Sequence, residues 1–485
     1  MLRAREVLAV AVCAAALALP CARGDDDKEA KKEEAALASV VDELVKLAHA
    51  CDGAKAVKDA RAELDVALVV LPDSKKAKDE IEKLAKKDDK PAASWSAKFE
   101  KDRKKTHEKC AGALADQALS WQKAKDDARA AKLGQLIHDA FPECDKQLEK
   151  AGYKWFEPYL ELHPLSEAKL LDAGGEQIDG KWTEAAAVAE LDKKHASWTD
   201  PWVISDDVHE VRTTLPLRTA KRVLLNVGLY RKFFLGRFQG SWDLKPPASK
   251  LPVIVTATQA DQTARIDEEA TKRGVKLNGA PQGAAIYLEM LPGELSPCFV
   301  TFEPADGKGK PFKVEFDHIL FPLKREITHQ ICFELSKHDY DKTRGIKNQF
   351  WVVAAIANYM PYYAFDHGHW RLTKPAKVAL APGASMDGAF AYTKNHLTEV
   401  PEIKDLIAIP REKMTLENCH LAGTLAYFLL EGENGKYRDG FIKLCETVHK
   451  IHDAPDSFGT CFKGVDLAAM QREFRTFVNK IQIDP

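Results

Sequence analysis

Phe321-Pro322-Leu323-Lys324-Arg325-Glu326-Ile327-Thr328-His329-Gln330 is the segment around which the rest of this chain arranges itself. With a helical period, Arg325 and His329 fall four apart on one face, and Glu326 stands beside the first of them. Ile331, Cys332 and Phe333 continue the pattern on a core-facing stripe, so a helix is predicted over 325–333. The apolar run Trp351 to Tyr359 predicts a second helix at a distance that lets it pack against the first. Pro361, Pro375, Pro382, Pro401 and Pro410 then punctuate the chain. A helix from Leu416 to Leu430, the turn Glu431-Gly432-Glu433-Asn434-Gly435 and a helix from Tyr437 to Val448 close the segment as a helical hairpin. Glu431 and Glu433, on that turn, are expected to be solvated.

Upstream, strands and helices mingle. Trp202-Val203-Ile204-Ser205 and the alternating Val208, Glu210, Val211 and Thr213 predict a half-buried strand pair. Pro216 opens a long helix carrying Leu224, Leu225, Val227, Tyr230, Phe233 and Phe234. Leu251 to Thr256, Ala285 to Met290 and Cys298 to Glu303 are further strands, with a charged helix at Ala260 to Arg273. The expected class is α+β: a strand-and-helix part over 201–311 and a mainly helical part over 312–485.

Residues 25–152 differ in composition, rich in Ala, Lys, Glu and Asp, and predict an all-α domain. Leu37, Val40, Val41, Leu44, Val45 and Leu47 recur at helical spacing. Leu71-Pro72-Asp73-Ser74 stops one helix and caps the next, whose inner face carries Ile81 and Leu84. The arrangement is similar to a tetratricopeptide-type helical hairpin, but no second copy is evident at a fixed period. From 153 to 200 Trp, Pro and Gly predict a linker with a small hairpin turning at Asp179-Gly180.

The first 24 residues are an expected export signal. Arg3 and Arg5 precede the apolar run Val7 to Pro20, and the small residues of Ala22-Arg23-Gly24 lead to Asp25. The run is about 14 residues, short of the roughly 20 that span a bilayer. An export signal left uncleaved would act as an N-terminal membrane anchor; no later stretch predicts a transmembrane segment. The mature chain is therefore expected in the periplasm or outside the cell. Its eight remaining cysteines include no C-x-x-C pair, which argues against a zinc ribbon. Cys51, Cys110 and Cys144, or Cys419, Cys445 and Cys461, are the local options for disulfides. With 71 Lys+Arg against 73 Asp+Glu the net charge is −2, so no global field draws in nucleic acid.

The chemistry rests on what the central segment keeps and lacks. His-Glu-x-x-His on a helix presents two imidazoles to one zinc while the Glu activates the bound water. Here the register reads Arg325-Glu326-Ile327-Thr328-His329. On this segment, on Trp351 to Tyr359 and on Thr424 to Arg438, residues 201–485 resemble the gluzincin-like, peptidase-MA-like family of secreted bacterial metallopeptidases. The resemblance implies that Glu326 stands at the position of the catalytic base and His329 at that of the second zinc ligand. Arg325 replaces the first ligand, and the acid expected on the next helix falls at Ala354, or at Ala355 if the alignment slips by one. No Asp, Glu, His or Cys occurs between Lys342 and Phe365, so no register restores it. A catalytic zinc takes three protein ligands, and a permanently charged guanidinium repels a dication. The expectation is an inactive peptidase-like protein without a cofactor, which binds or scaffolds a peptide or protein partner.

Two alternatives follow from the same residues. Asp366-His367-Gly368-His369 offers two imidazoles that, joined by His329 and with Glu326 as base, would rebuild a zinc peptidase site. Alternatively the N-terminal helices make the chain an adaptor. No Gly-x-Ser-x-Gly elbow or Gly-x-x-x-x-Gly-Lys phosphate loop points to other chemistry. Cys332 reads as a buried structural thiol.

Overall fold

A computed structural model describes residues 24–85, 87–91, 95–238, 240–277, 283–288, 295–304, 313–336, 349–366, 369–381, 384–450 and 456–484. For 24–26, 366, 369, 380, 381 and 384 it describes the backbone alone. The proposed export signal up to Arg23, with Cys13 and Cys21, thus lies outside the described residues, as do His338, His367 and His452. The fold is α+β. It forms two compact units that divide at Ala185/Ala186, with residues 366–369 grouped with the first. The boundary lies within the segment expected as a linker. Residues 153–185 are therefore part of the first unit, and 186–200 of the second.

The first unit begins with helices α1 (Gly24–Gly53), α2 (Val57–Val70), α3 (Lys75–Leu84), α4 (Trp95–Lys123), α5 (Asp127–Ala140) and α6 (Asp145–Lys150). As expected, α2 stops before Pro72, and the Ser74 side chain caps α3 by accepting from the Ala77 amide at 3.3 Å. The second copy that the sequence conceals is present in the structure. Val40, Val41, Leu44, Val45, Leu47, Ala48 and Cys51 are buried on α1, and the residue seventy places after each is buried on α4. On α2, Ala60, Glu63, Leu64, Ala67 and Val70 correspond in the same way to Ala130, Leu133, Gly134, Ile137 and Ala140 on α5. The turns repeat too: Lys55 and Lys125 share left-handed φ values of 60° and 64°, and Pro72 and Pro142 follow the two second helices. In this unit α1 packs on α4 and α2 on α5, giving a two-layer stack of two copies.

Two hairpins complete the unit. Strands β1 (Tyr153–Phe156) and β2 (Glu161–Pro164) pair antiparallel and pack on α5, where Trp155 stacks on His138 with 3.8 Å between ring centroids. After α7 (Leu165–Asp172), β3 (Glu176–Ile178) and β4 (Lys181–Thr183) pair across a turn whose central residues, Asp179 and Gly180, have φ of 50° and 75°. Two left-handed residues match the twist of the flanking strands, which is why Asp-Gly suits this position.

The second unit opens with α8 (Ala185–Lys194), β5 (Trp202–Ser205), β6 (His209–Thr213), α9 (Leu217–Phe238), β7 (Leu251–Thr256), α10 (Gln259–Lys272), β8 (Ala285–Tyr287) and β9 (Cys298–Thr301). The sheet order is β5-β6-β7-β9-β8, parallel at β6/β7 and β7/β9 and antiparallel at both edges. Strand β7 is apolar almost throughout because both of its faces are covered. Ile254 and Phe299 meet Ile266 and Ala270 of α10, whereas Val253, Val255, Cys298 and Val300 join the main core.

That core continues into α11 (Phe316–Glu334), α12 (Phe350–Tyr359), the hairpins β10 (Tyr363–Asp366) with β11 (His369–Leu372) and β12 (Lys377–Ala381) with β13 (Ala384–Asp387), and α13 (Ala389–Asn395), α14 (Ile403–Leu406), α15 (Leu416–Glu431), α16 (Arg438–Lys450), α17 (Ser457–Cys461) and α18 (Leu467–Lys480). Helix α11 starts nine residues before the expected Arg325 and carries Pro322 in its interior. Buried Phe316, Ile319 and Leu323 hold the first turns in place despite the lost backbone bond. All of α12 from Trp351 to Tyr359 is buried. Helix α15 crosses it closely because Gly423 faces the Asn358 carbonyl, where a Cβ would lie 2.9 Å from the oxygen. All eight cysteines among the described residues are free thiols, six of them buried. No described helix is long and apolar enough to cross a membrane.

Candidate functional site

The helical period of α11 places Glu326, Gln330 and Glu334 on one stripe against the sheet edge formed by β8 and β9. All three are buried and each is spent on the backbone or side chains of β7, β8 or the segment leading into β9. The Tyr287 amide donates to Glu326 Oε2 at 3.0 Å. Gln330 Nε2 donates to the Pro252 and Ser296 carbonyls, both at 3.0 Å. Glu334 Oε1 accepts from the Tyr287 hydroxyl at 2.6 Å and from the Ser296 amide at 3.1 Å. Glu326, expected from the resemblance at the position of a catalytic base, is thus a buried carboxylate holding strand backbone.

Arg325, with 46% of its side chain exposed, turns its Nε to 3.4 Å from Glu326 Oε1. His329 is half-buried on the same helix. Burial pushes its pKa well down, and the Arg325 and Arg411 guanidiniums push the same way, so the ring is neutral at pH 7. A neutral imidazole can ligate a metal, but its companions here are unsuitable. Arg325 contributes a cation, and Ala354 on α12 a buried methyl group. Ala355, the alternative in the shifted register, is buried as well. Among the described residues no group of three or more His, Cys, Asp and Glu side chains is placed to hold a metal ion. The residues of the degenerate motif do not fit a catalytic zinc. His367 and the side chain of His369, which the rebuilt site needs, fall outside the described residues.

Other expectations sort differently. Cys332 is fully buried and its thiol is pushed well up by burial, in keeping with a structural role. Trp351, Tyr359, Tyr362 and Tyr363 are core residues. Glu431 is not solvated. It forms ion pairs with Arg237 and, at 3.7 Å, with Arg438, and it accepts from the Tyr359 hydroxyl at 3.0 Å. Tyr359 in turn shares a 2.7 Å hydrogen bond with the Tyr363 hydroxyl. This network joins α9, α12, α15 and the start of α16. In the sequence Arg438 appears only as the end of the Thr424 to Arg438 stretch, because the network's partners are supplied by tertiary structure. Glu433 next door is exposed, as expected for the turn.

A third polar centre, in the first unit, has no motif at all. His107 on α4 is fully buried, with Nε2 2.8 Å from Glu63 Oε2 and Nδ1 2.6 Å from Glu143 Oε1. Arg103 Nε lies 3.1 Å from Glu63 Oε1. Both ring nitrogens face carboxylates, leaving neither for a metal.

Compared with known proteins, the chain matches no family model, no curated protein and no solved structure.

Proposed function

We propose that this is an exported, peptidase-like protein that works by holding a peptide or protein partner and performs no metal-dependent hydrolysis. The observation that carries this reading is the occupation of Glu326: one oxygen holds the Tyr287 amide and the other faces the Arg325 guanidinium. A general base must present a free oxygen to a water, and a water-activating zinc needs ligands that this locus replaces with a cation and a methyl group. The gluzincin-like resemblance then accounts for the scaffold, while binding accounts for its use. Elemental analysis of the purified chain, paired with a fluorogenic peptide assay, tests the reading. Substoichiometric zinc and no cleavage that chelation abolishes are expected. One equivalent of zinc, lost in His329→Ala together with cleavage, overturns it in favour of the rebuilt site with His367 and His369.

The duplicated helical stack favours a second reading, an adaptor in which the first unit captures the partner. Photo-crosslinking from α3 and from α11 in the full chain separates the two, since the adaptor reading places the captured partner on α3 alone.

A further inference from the structure

The buried network around His107 occurs once, whereas the fold around it occurs twice. Seventy residues from His107, Glu63 and Glu143 stand Leu37, Leu133 and the fully exposed Asp73. The network therefore belongs to neither copy. It joins α2 of the first copy to α4 and the α5–α6 turn of the second.

Its geometry fixes its protonation. A neutral imidazole has one N–H and one lone pair, and the lone pair would point at a carboxylate oxygen under 3 Å away. With both nitrogens protonated, two carboxylates face one imidazolium and the Arg103 guanidinium, and the formal charges cancel. With one proton fewer, a net negative charge stays buried against a repelled lone pair. We propose that His107 is a proton-operated lock between the two helical copies: the bound proton ties Glu63 of α2 and Glu143 to α4, and its loss weakens that joint, leaving the Arg103–Glu63 pair to link α2 to α4.

Two further histidines stand on helices of the same stack, His49 on α1, 3.0 Å from Glu80, and His138 on α5, stacked on Trp155; neither touches Glu143, so the Glu143→Gln arm of the test below separates them from His107. Beyond Glu63 and Glu143, the neighbouring charges are Arg103 on the same helix and Glu100, 3.9 Å from Arg103. The thiols of Cys51 on α1, Cys110 on α4 and Cys144 on the α5–α6 turn are each pushed up to about 12, chiefly by burial, and stay neutral. Burial disfavours the His107 cation, but the hydrogen bonds to Glu143 and Glu63 outweigh it and raise the pKa above its ordinary 6.5. The lock is therefore at full strength between about pH 4.5 and 6.5 and is lost as pH rises through the folded-state value.

Hydrogen exchange of the full-length protein, followed by mass spectrometry from pH 5.5 to 10, tests this. Protection factors of α2 and α4 peptides should be constant below pH 6.5. They should then fall about tenfold per pH unit until the folded pKa is passed, and level off. Glu143→Gln removes the more exposed carboxylate, which should bring the levelling-off to lower pH and shrink the total fall. Protection that stays flat across the range in the wild type, or a profile that Glu143→Gln leaves in place, would overturn the lock. Wild-type exchange alone decides the first point, so the proposal does not depend on a variant folding.

Discussion

Glu326 works as a structural carboxylate. Its carboxylate ties α11 to the Tyr287 amide, so truncation costs stability. Glu326→Ala leaves a buried N–H without that acceptor and should destabilise the protein by about 1–3 kcal/mol in chemical denaturation. Glu326→Gln keeps an acceptor and should cost less. A free general base would give the opposite pattern, with stability unchanged or improved on truncation. Arg325 offers the matching test: Arg325→His with Ala354→Glu supplies, beside His329, the donor types that the proposed resemblance expects. If α11 and α12 keep the spacing of a zinc site, the double variant should bind one zinc per chain by isothermal titration, against none for either single variant. At Glu431 the stake is charge. Glu431→Ala strands Arg237 and Arg438 together in a mostly buried place and should cost roughly 3 kcal/mol, whereas the exposed neighbour Glu433→Ala should cost almost nothing.

At the scale of elements, the close crossing of α15 over α12 depends on a missing side chain. Gly423→Ala would place a methyl 2.9 Å from the Asn358 carbonyl oxygen, a backbone atom that yields only if a helix moves. A loss of about 1–3 kcal/mol is expected despite the better helix propensity of alanine, and a stabilised variant would contradict the close approach. Elements with strong periodicity or β-branched runs were legible. Leu251 to Thr256 and Trp202 to Ser205 are strands with the expected bounds, and Leu416 to Glu431 and Arg438 to Lys450 form the closing hairpin. Those with weak local signals were not. The hairpins of 363–387 are four- and five-residue strands between prolines, too short to show alternation. The start of α11 was hidden by Pro322, whose cost is offset by burial that only the folded chain reveals. At the site, the unsuitability of Arg325 and Ala354 as zinc donors was written in residue types. The engagement of Glu326 was not, because its partner is a backbone amide thirty-nine residues away on the sheet edge.

Across the whole molecule, the duplication in the first unit shows how architecture persists when only scattered positions, such as Leu44 and Leu114 or Pro72 and Pro142, keep their identity. At paired positions Val45 meets Ala115 and Cys51 meets Trp121, so volume has been redistributed between copies while the pattern of burial has stayed. A search for repeated letters misses what a comparison of buried positions finds. The joint between the copies also sets an acid limit. Glu143 is held at a pKa of about 2, first by its hydrogen bond to His107, against an ordinary 4.5. Its contribution is present above pH 4.5 and is lost as pH falls through about 2. Acid unfolding of the wild type, followed by circular dichroism, should therefore begin at lower pH than that of Glu143→Gln, which lacks this group. Coincident curves would show that the carboxylate does not support the joint.

The unpaired sulfurs give each half of the protein its own clock. Cys51, Cys110 and Cys144 are sealed inside one unit, and Cys298, Cys332 and Cys445 inside the other. An alkylating reagent reaches a sealed thiol only during a transient opening, so the rate at which each site acquires its mass tag reports how often its own unit breathes. The natural sequence thus carries six intrinsic probes, and the stability of the two halves can be timed separately in one unmodified sample.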